Sequence, residues 1–219
     1  LDQPFWLGLC FFDVKHIPDQ RPNMSETLCA IVLAAGQGSR YRQVAGAHRN
    51  KLLAQCVGRD GIERAVLEHV LVSLRTVVDK IVLLTRPEYS SVAELGLRFG
   101  CEIVVLESPG MGDSIAAAVS AEPDHRGWLM VLGDMPFIHL DTLERVAESL
   151  EPAAISVPVH TGQYGHPVGF GRGFGPSLMG LAGEKGAKRL FQGATVKQLP
   201  VDDAGVLWDV DVPSALLFK

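Results

Sequence analysis

Apolar and polar positions alternate along the chain with two different periods. Residues 31–34 (IVLA) form an unbroken apolar run that leads through Ala35 into a glycine-spaced turn, Gly36-Gln37-Gly38-Ser39-Arg40. A run of this kind reads as a buried strand, and the carboxyl edge of such a strand in an open α/β sheet is where ligands bind. Residues 62–78 then place apolar side chains at Ile62, Ala65, Val66, Leu67, Val70, Leu71, Leu74 and Val77, with Glu63, Arg64, Glu68 and Arg75 between them. That spacing predicts a helix with one face on the sheet. The pattern continues with a strand at 80–85 (KIVLLT), a helix at 87–98 opened by Pro87, and a strand at 102–106 (EIVVL). Next come an alanine-rich helix at 113–121, a strand at 127–132 (GWLMVL) and a helix at 140–150. Four successive strand–helix units predict an α/β fold of three layers, Rossmann-like, with a mainly parallel sheet and helices on both faces.

Beyond residue 153 the period shortens. Strands are expected at 154–159, 167–170 and 196–201, with short helices near Pro176 and Lys185 and a terminal helix from Pro213. This half reads as a lid or acceptor region grafted onto the nucleotide half. No repeat or linker interrupts it, so residues 24–219 are expected to form one domain. The first 23 residues carry an apolar patch from Phe5 to Phe12, preceded by Asp2 and closed by Asp13, without a basic lead. They fit neither a secretory signal nor a membrane span and are read as an extension of unassigned role.

The 219 residues carry a net charge of −5, which leaves no diffuse positive field for DNA or RNA, so any anionic ligand must be held locally. Cys10, Cys29, Cys56 and Cys101 are widely spaced and form no C-x-x-C pair. They are read as reduced thiols in a cytoplasmic protein.

Three segments carry candidate chemistry. In the turn at 36–40, Gly36 and Gly38 permit close backbone approach to phosphate oxygens, and Arg40 adds charge. The stretch lacks the G-x-x-x-x-G-K-[ST] loop, and Tyr41 stands where a dinucleotide fingerprint has its third glycine. The second segment, Leu132-Gly133-Asp134-Met135-Pro136, ends a strand with a carboxylate whose oxygens suit Mg²⁺ alongside substrate phosphates; a turn or cap aspartate is the plain alternative. The third, Trp208-Asp209-Val210-Asp211-Val212-Pro213, puts Asp209 and Asp211 on one side of an extended segment. Either can meet Asp134 at a shared metal, and the other is expected to cap the terminal helix. His69, His125, His139 and His160 are assigned solvated or structural roles, Trp128 and Trp208 core roles, and Glu144, Arg145 and Glu148 a solvated helix face.

Taken together, LAAGQGSR (33–40), NKLLA (50–54), GMGDS (110–114), LGDMP (132–136), GHPVGF (165–170), GEKGAK (183–188) and DVDVP (209–213) resemble the MobA-like nucleotidyltransferase family. Within it they are most similar to the molybdenum cofactor cytidylyltransferase branch, because the loop reads LAAG and is followed by GMGDS. The resemblance runs from about residue 28 onward and implies that CTP is joined to the phosphate of a molybdopterin-type acceptor. It further implies that Leu33, Ala34, Ala35, Gly36, Gly38 and Arg40 hold the triphosphate and that Lys51 neutralises the α-phosphate region. Gly112, Asp113 and Ser114 would flank base and ribose. Asp134 and Asp211 would ligate Mg²⁺, with Asp209 in reserve, and His166, Glu184, Lys185 and Lys188 would line the acceptor pocket. A molybdenum hydroxylase is the implied partner. Two departures stand out: ten residues, YRQVAGAHRN, separate Arg40 from Lys51, and Tyr41-Arg42 replaces the glycine expected after the arginine. Arg42, His48 and Arg49 in that longer stretch are alternative phosphate contacts.

Alternatives remain at this level: GTP as donor, another phosphate acceptor, a nicotinamide-dependent oxidoreductase, or a non-catalytic cofactor chaperone. The oxidoreductase reading lacks the acidic residue about 20 positions beyond the loop, since Glu63 comes too late.

Overall fold

The computed structural model describes residues 26–107 and 110–218. The expectations for residues 1–23, for Met24 as the start of the folded unit and for Cys10 lie outside the described residues.

The strands and helices follow the order β1 (Leu28–Leu33), α1 (Ser39–Ala45), β2 (Gln55–Val57), β3 (Glu63–Ala65), α2 (Val66–Leu74), β4 (Lys80–Thr85), α3 (Ser90–Arg98), β5 (Glu102–Val105), α4 (Met111–Ala121), β6 (Gly127–Leu132) and α5 (Leu140–Glu148). The rest are β7 (Ala154–His160), β8 (Gln163–Tyr164), β9 (Val168–Gly171), α6 (Gly175–Met179) and β10 (Thr195–Pro200). The main sheet runs β10-β7-β9-β6-β1-β4-β5, with β8 on the side of β7. β1 pairs in parallel with both β4 and β6, whereas β9 runs antiparallel between β6 and β7. The sheet is therefore mainly parallel, with two reversed strands, β9 and the two-residue β8.

Alternation along β1 explains the layering. Leu28, Ala30 and Val32 join the core under α2, α3 and α5, while Cys29 and Ile31 face the core under α4 and α6. Helices thus cover both faces, as a parallel sheet requires. Trp128 and Leu83 are almost wholly buried, each worth about 2–3 kcal/mol by area removed from water.

Three expectations need correction. Residues 62–65 are not helical: Asp60 Oδ1 accepts the Ile62 N–H, Gly61 takes φ +76°, and β3 pairs back on β2, so the helix begins only at Val66. Ile62 is accordingly about half exposed rather than on a core face. The region after 153 is not a grafted lid, because β7, β9 and β10 extend the same sheet. The terminal turn Pro213–Leu216 is a short 3-10 helix capped by Val212, so neither Asp209 nor Asp211 caps it.

Other expectations hold. The strands at 80–85 and 127–132 occupy the predicted residues. Cys29, Cys56 and Cys101 are free and buried. Among the described residues no helix is long and apolar enough to cross a membrane. His69 bonds the Cys56 carbonyl, His125 bonds Thr27 and Glu122, His160 bonds the Val201 carbonyl, and His139 precedes α5 in contact with Arg59. Trp128 donates to the Glu122 carbonyl from the core, and Glu144, Arg145 and Glu148 are exposed.

Candidate active site

The loop after β1 is held from two sides. The Ala34 N–H donates to the Leu84 carbonyl at 2.9 Å, and the Gly133 N–H donates to the Leu33 carbonyl at 3.0 Å, which fixes the loop between β4 and β6. Gly36 is exposed, and Gly38 caps α1 in the left-handed region at φ +60°, a conformation glycine takes without a Cβ penalty. Beside this loop, β6 delivers Asp134, and the segment before the terminal turn delivers Asp209 and Asp211. The Val210 N–H donates to the Asp134 carbonyl at 2.9 Å and locks the two segments together.

The ligand oxygens of Asp134, Asp209 and Asp211 lie within 4.8 Å of one another. Two cations meet them. Lys51 Nζ donates to Asp134 Oδ2 at 2.5 Å and to Asp211 Oδ1 at 2.9 Å, and Arg40 Nη1 donates to Asp211 Oδ2 at 2.5 Å. Lys51 is nearly buried, whereas the Arg40 side chain is 77% exposed. Burial alone favours loss of the Lys51 proton, but Asp134 and then Asp211 outweigh it and raise its pKa above the ordinary lysine value. The hydrogen bond from Lys51 holds Asp211 below the usual carboxylate range despite some burial, with Arg40 helping. Asp209 is pushed the other way, first by partial desolvation and then by the charges of Asp211 and Asp134. This arrangement of clustered oxygen ligands with positive charge beside a glycine loop is fitted to a divalent cation and a polyphosphate.

The ten residues between Arg40 and Lys51 explain themselves in three dimensions. They complete α1, turn at Gly46 with φ +110°, and end at Asn50, whose side chain accepts the Leu52 N–H and starts the 3-10 turn Lys51–Leu53. The lysine is thereby returned to the carboxylates. Tyr41 is buried in a small cluster with Cys56, Val66, Phe137 and Val210, so it packs α1 against the Asp209–Asp211 segment. Arg42, His48 and Arg49 do not reach the carboxylates; with Gly36, Gly38 and Asn50 they line a neighbouring cleft of about 240 Å³.

The remaining site residues fall in two places. His166 stands near Asp134 and the Met130 carbonyl, and its Nδ1 is buried without a hydrogen-bond partner. Burial lowers its pKa, against the pull of those two neighbours, so the ring is neutral near pH 7. Gly112, Asp113 and Ser114 open α4, where the Gly112 N–H donates to the Gly183 carbonyl at 2.8 Å and Asp113 Oδ2 accepts the Gly183 N–H at 2.8 Å. This clasp ties the expected base-side loop to the expected acceptor-side loop. Glu184, Lys185 and Lys188 are exposed on that second loop, and among the described residues no ion pair joins them to the carboxylate cluster.

Sequence reasoning missed two features. Tyr89 places its hydroxyl 3.4 Å from the Gly36 carbonyl, against the loop, and nothing in its local sequence announced that. Arg59, at the tip of the β2–β3 hairpin, pairs with the buried Asp203 at 3.0 Å and stacks over Phe218 at 4.3 Å. Asp203 also accepts from the His139 and Gly205 N–H groups and the Thr142 hydroxyl, so the hairpin and the start of α5, two distant segments, meet its own turn on one carboxylate.

Comparison with known proteins bears on the family and the fold. The chain is 26% identical over 203 residues to the purine catabolism protein PucB of Bacillus subtilis, covering 86% of this chain and 94% of that protein. It is 30% identical over 170 residues to the bifunctional protein GlmU of Kineococcus radiotolerans, where it spans only 32% of the longer relative. Among solved structures, Rv0371c from Mycobacterium tuberculosis H37Rv superposes with a TM-score of 0.73 at 28% identity, covering 87% of this chain and 95% of that one. A manganese complex of the same protein superposes at 0.64 and 27% identity, covering 81% and 89%. The family model of the MobA-like NTP transferase domain matches residues 30–201, and the chain belongs to that family.

Proposed function

We propose that the protein transfers CMP from CTP to the phosphate of a molybdopterin-type acceptor, with Mg²⁺, and releases pyrophosphate. The observation that carries this reading is the convergence of Asp134, Asp209 and Asp211 with Lys51 and Arg40 beside the glycine loop. An acceptor-phosphate oxygen forms its bond to the α-phosphorus as the bond from that phosphorus to the bridging oxygen breaks, and pyrophosphate leaves with the electron pair. The loop amides at 35–38 cradle the triphosphate, the Ala34 N–H being held by the Leu84 carbonyl. Arg40 and Lys51 neutralise charge that gathers on the phosphoryl oxygens in the transition state. Asp134 and Asp211 hold the metal, which when bound supplies Lewis-acid stabilisation to the same oxygens. A phosphate monoester is already ionised near pH 7, so no general base is assigned.

His166, Glu184, Lys185 and Lys188 are assigned to the acceptor. The neutral His166 ring, with its unpartnered Nδ1, is suited to orient that ligand rather than to charge it. Cytosine is favoured by LAAG and GMGDS, and a molybdenum hydroxylase is the proposed client. The relative PucB is named for purine catabolism. Paired Asp134 and Asp211 speak against a chaperone without turnover.

The test is pyrophosphate release with Mg²⁺ and each of CTP, GTP, ATP and UTP, with and without molybdenum cofactor. Cofactor-dependent release with CTP is expected. Release with GTP alone overturns the base assignment, and release with no cofactor dependence overturns the acceptor.

A further inference from the structure

Lys51 does not stand at the rim of the carboxylate cluster but inside it. Its ammonium lies 2.5 Å from Asp134 and 2.9 Å from Asp211. A small divalent ion binds carboxylate oxygens at about 2.1 Å. An ion shared by these two carboxylates must therefore occupy the space between them, where Nζ already sits. The other oxygen of Asp211, Oδ2, is engaged by Arg40. The ammonium thus lies where an ion bridging Asp134 Oδ2 and Asp211 Oδ1 would have to sit.

The lysine also has a path out. Its Cγ and Cδ run alongside Gly38, where an added Cβ would stand 3.7 Å from both. The stem therefore lies against the glycine loop. A four-carbon stem reorients easily, and a triphosphate on those amides offers a second set of anionic partners.

We propose that Lys51 and the divalent metal are rivals for one position: the ammonium neutralises Asp134 and Asp211 in the ligand-free protein, and the arriving phosphates draw it out as the metal enters. The inference rests on the metal assignment made above but not on the identity of nucleotide or acceptor. It makes the metal–nucleotide complex, rather than the bare nucleotide, the species that the free protein accepts. Metal and phosphate binding are then coupled, and each strengthens the other by the same factor.

The first experiment measures Mn²⁺ binding without nucleotide by the paramagnetic signal of the free ion, in the wild-type chain, K51M and R40M, with thermal melting of each variant as a fold control. K51M is expected to bind Mn²⁺ about tenfold tighter than wild type, while R40M gains at most about threefold. Equal gains in both variants would reduce the effect to general charge repulsion and overturn the proposal, as would no gain in K51M. A second experiment needs no variant: acetylation of Lys51 by acetic anhydride, followed by mass spectrometry with and without Mn²⁺. Faster labelling in Mn²⁺ is expected from a displaced lysine. Unchanged or slower labelling overturns the proposal, and neither readout depends on CMP transfer.

Discussion

Asp209 and Asp211 are two residues apart and are pushed in opposite directions, because Asp211 receives Lys51 and Arg40 whereas Asp209 is raised first by partial burial and then by its acidic neighbours. Their replacement by asparagine should separate them. D134N is expected to lower kcat for pyrophosphate release about a thousandfold, with D211N close to it, because on the proposed function each removes the charge of a metal ligand and weakens a partner of Lys51. D209N is expected to cost about tenfold or less, and a larger loss than for D211N would exchange their roles. K51A should cost far more than R49A, since Lys51 reaches the carboxylates and Arg49 lines the adjacent cleft; the reverse order of kcat/KM would move phosphate contact into the 41–50 segment. At this scale the sequence was informative where chemistry fixes a residue type at a strand end, as at Asp134. Alternation places both aspartates on one side and does not choose between them; in the sequence, the preference for Asp211 comes from the family resemblance alone. The sequence was silent on Tyr41, whose buried packing against Val210 depends on a contact across about 170 residues of chain.

Among the elements, the β2–β3 hairpin and α2 show how a local period misleads. Ile62 continues the helical spacing of α2, yet Asp60 and Gly61 form a turn that the apolar pattern does not register. The hairpin has a purpose in three dimensions, since it carries Arg59 to Asp203 and Phe218. R59A is expected to lower unfolding free energy by about 2 kcal/mol in urea titration, and D203A by about 3–5 kcal/mol because it strips the partner from three donor segments. A loss in D203A no greater than in R59A would argue that the other donors find water instead. The clasp at the start of α4 is equally specific. An added Cβ at Gly112 would lie 2.8 Å from the Ala182 backbone, which has no flexible end to yield. G112A should therefore push the two loops apart and raise KM for nucleotide, measured against unchanged far-UV circular dichroism; an unaltered KM would separate the clasp from binding.

For the molecule as a whole, both halves of the chain contribute to one sheet, and the carboxyl edges of β1, β4 and β6 face the same side. The first half was legible because strand–helix units leave long periodic signals. The second was harder: the strand expected at 167–170 is β9, but its antiparallel direction depends on pairing with β6 and β7, and β8 has only two residues in a tight hairpin with β7. The two-sided core makes a simple prediction about thiols. Burial pushes Cys29 up to about 12 and Cys56 and Cys101 up to about 11, so none forms thiolate near pH 8. Native protein treated with an aromatic disulfide reagent should therefore leave these three unmodified, while all react in guanidinium; rapid native labelling of any of them would contradict the packing. The locking of residue 210 onto residue 134 has a consequence for synthesis. A ribosome delivers the chain from its amino end, so β1, β4, β5 and β6 can assemble while Asp134 still lacks its counterpart. A translation product stalled before residue 209 would own a folded centre and a glycine loop but no complete acidic cluster. On the proposed function such fragments would neither sequester metal nor consume nucleotide, so competence would arrive only once residues 209–211 have been translated.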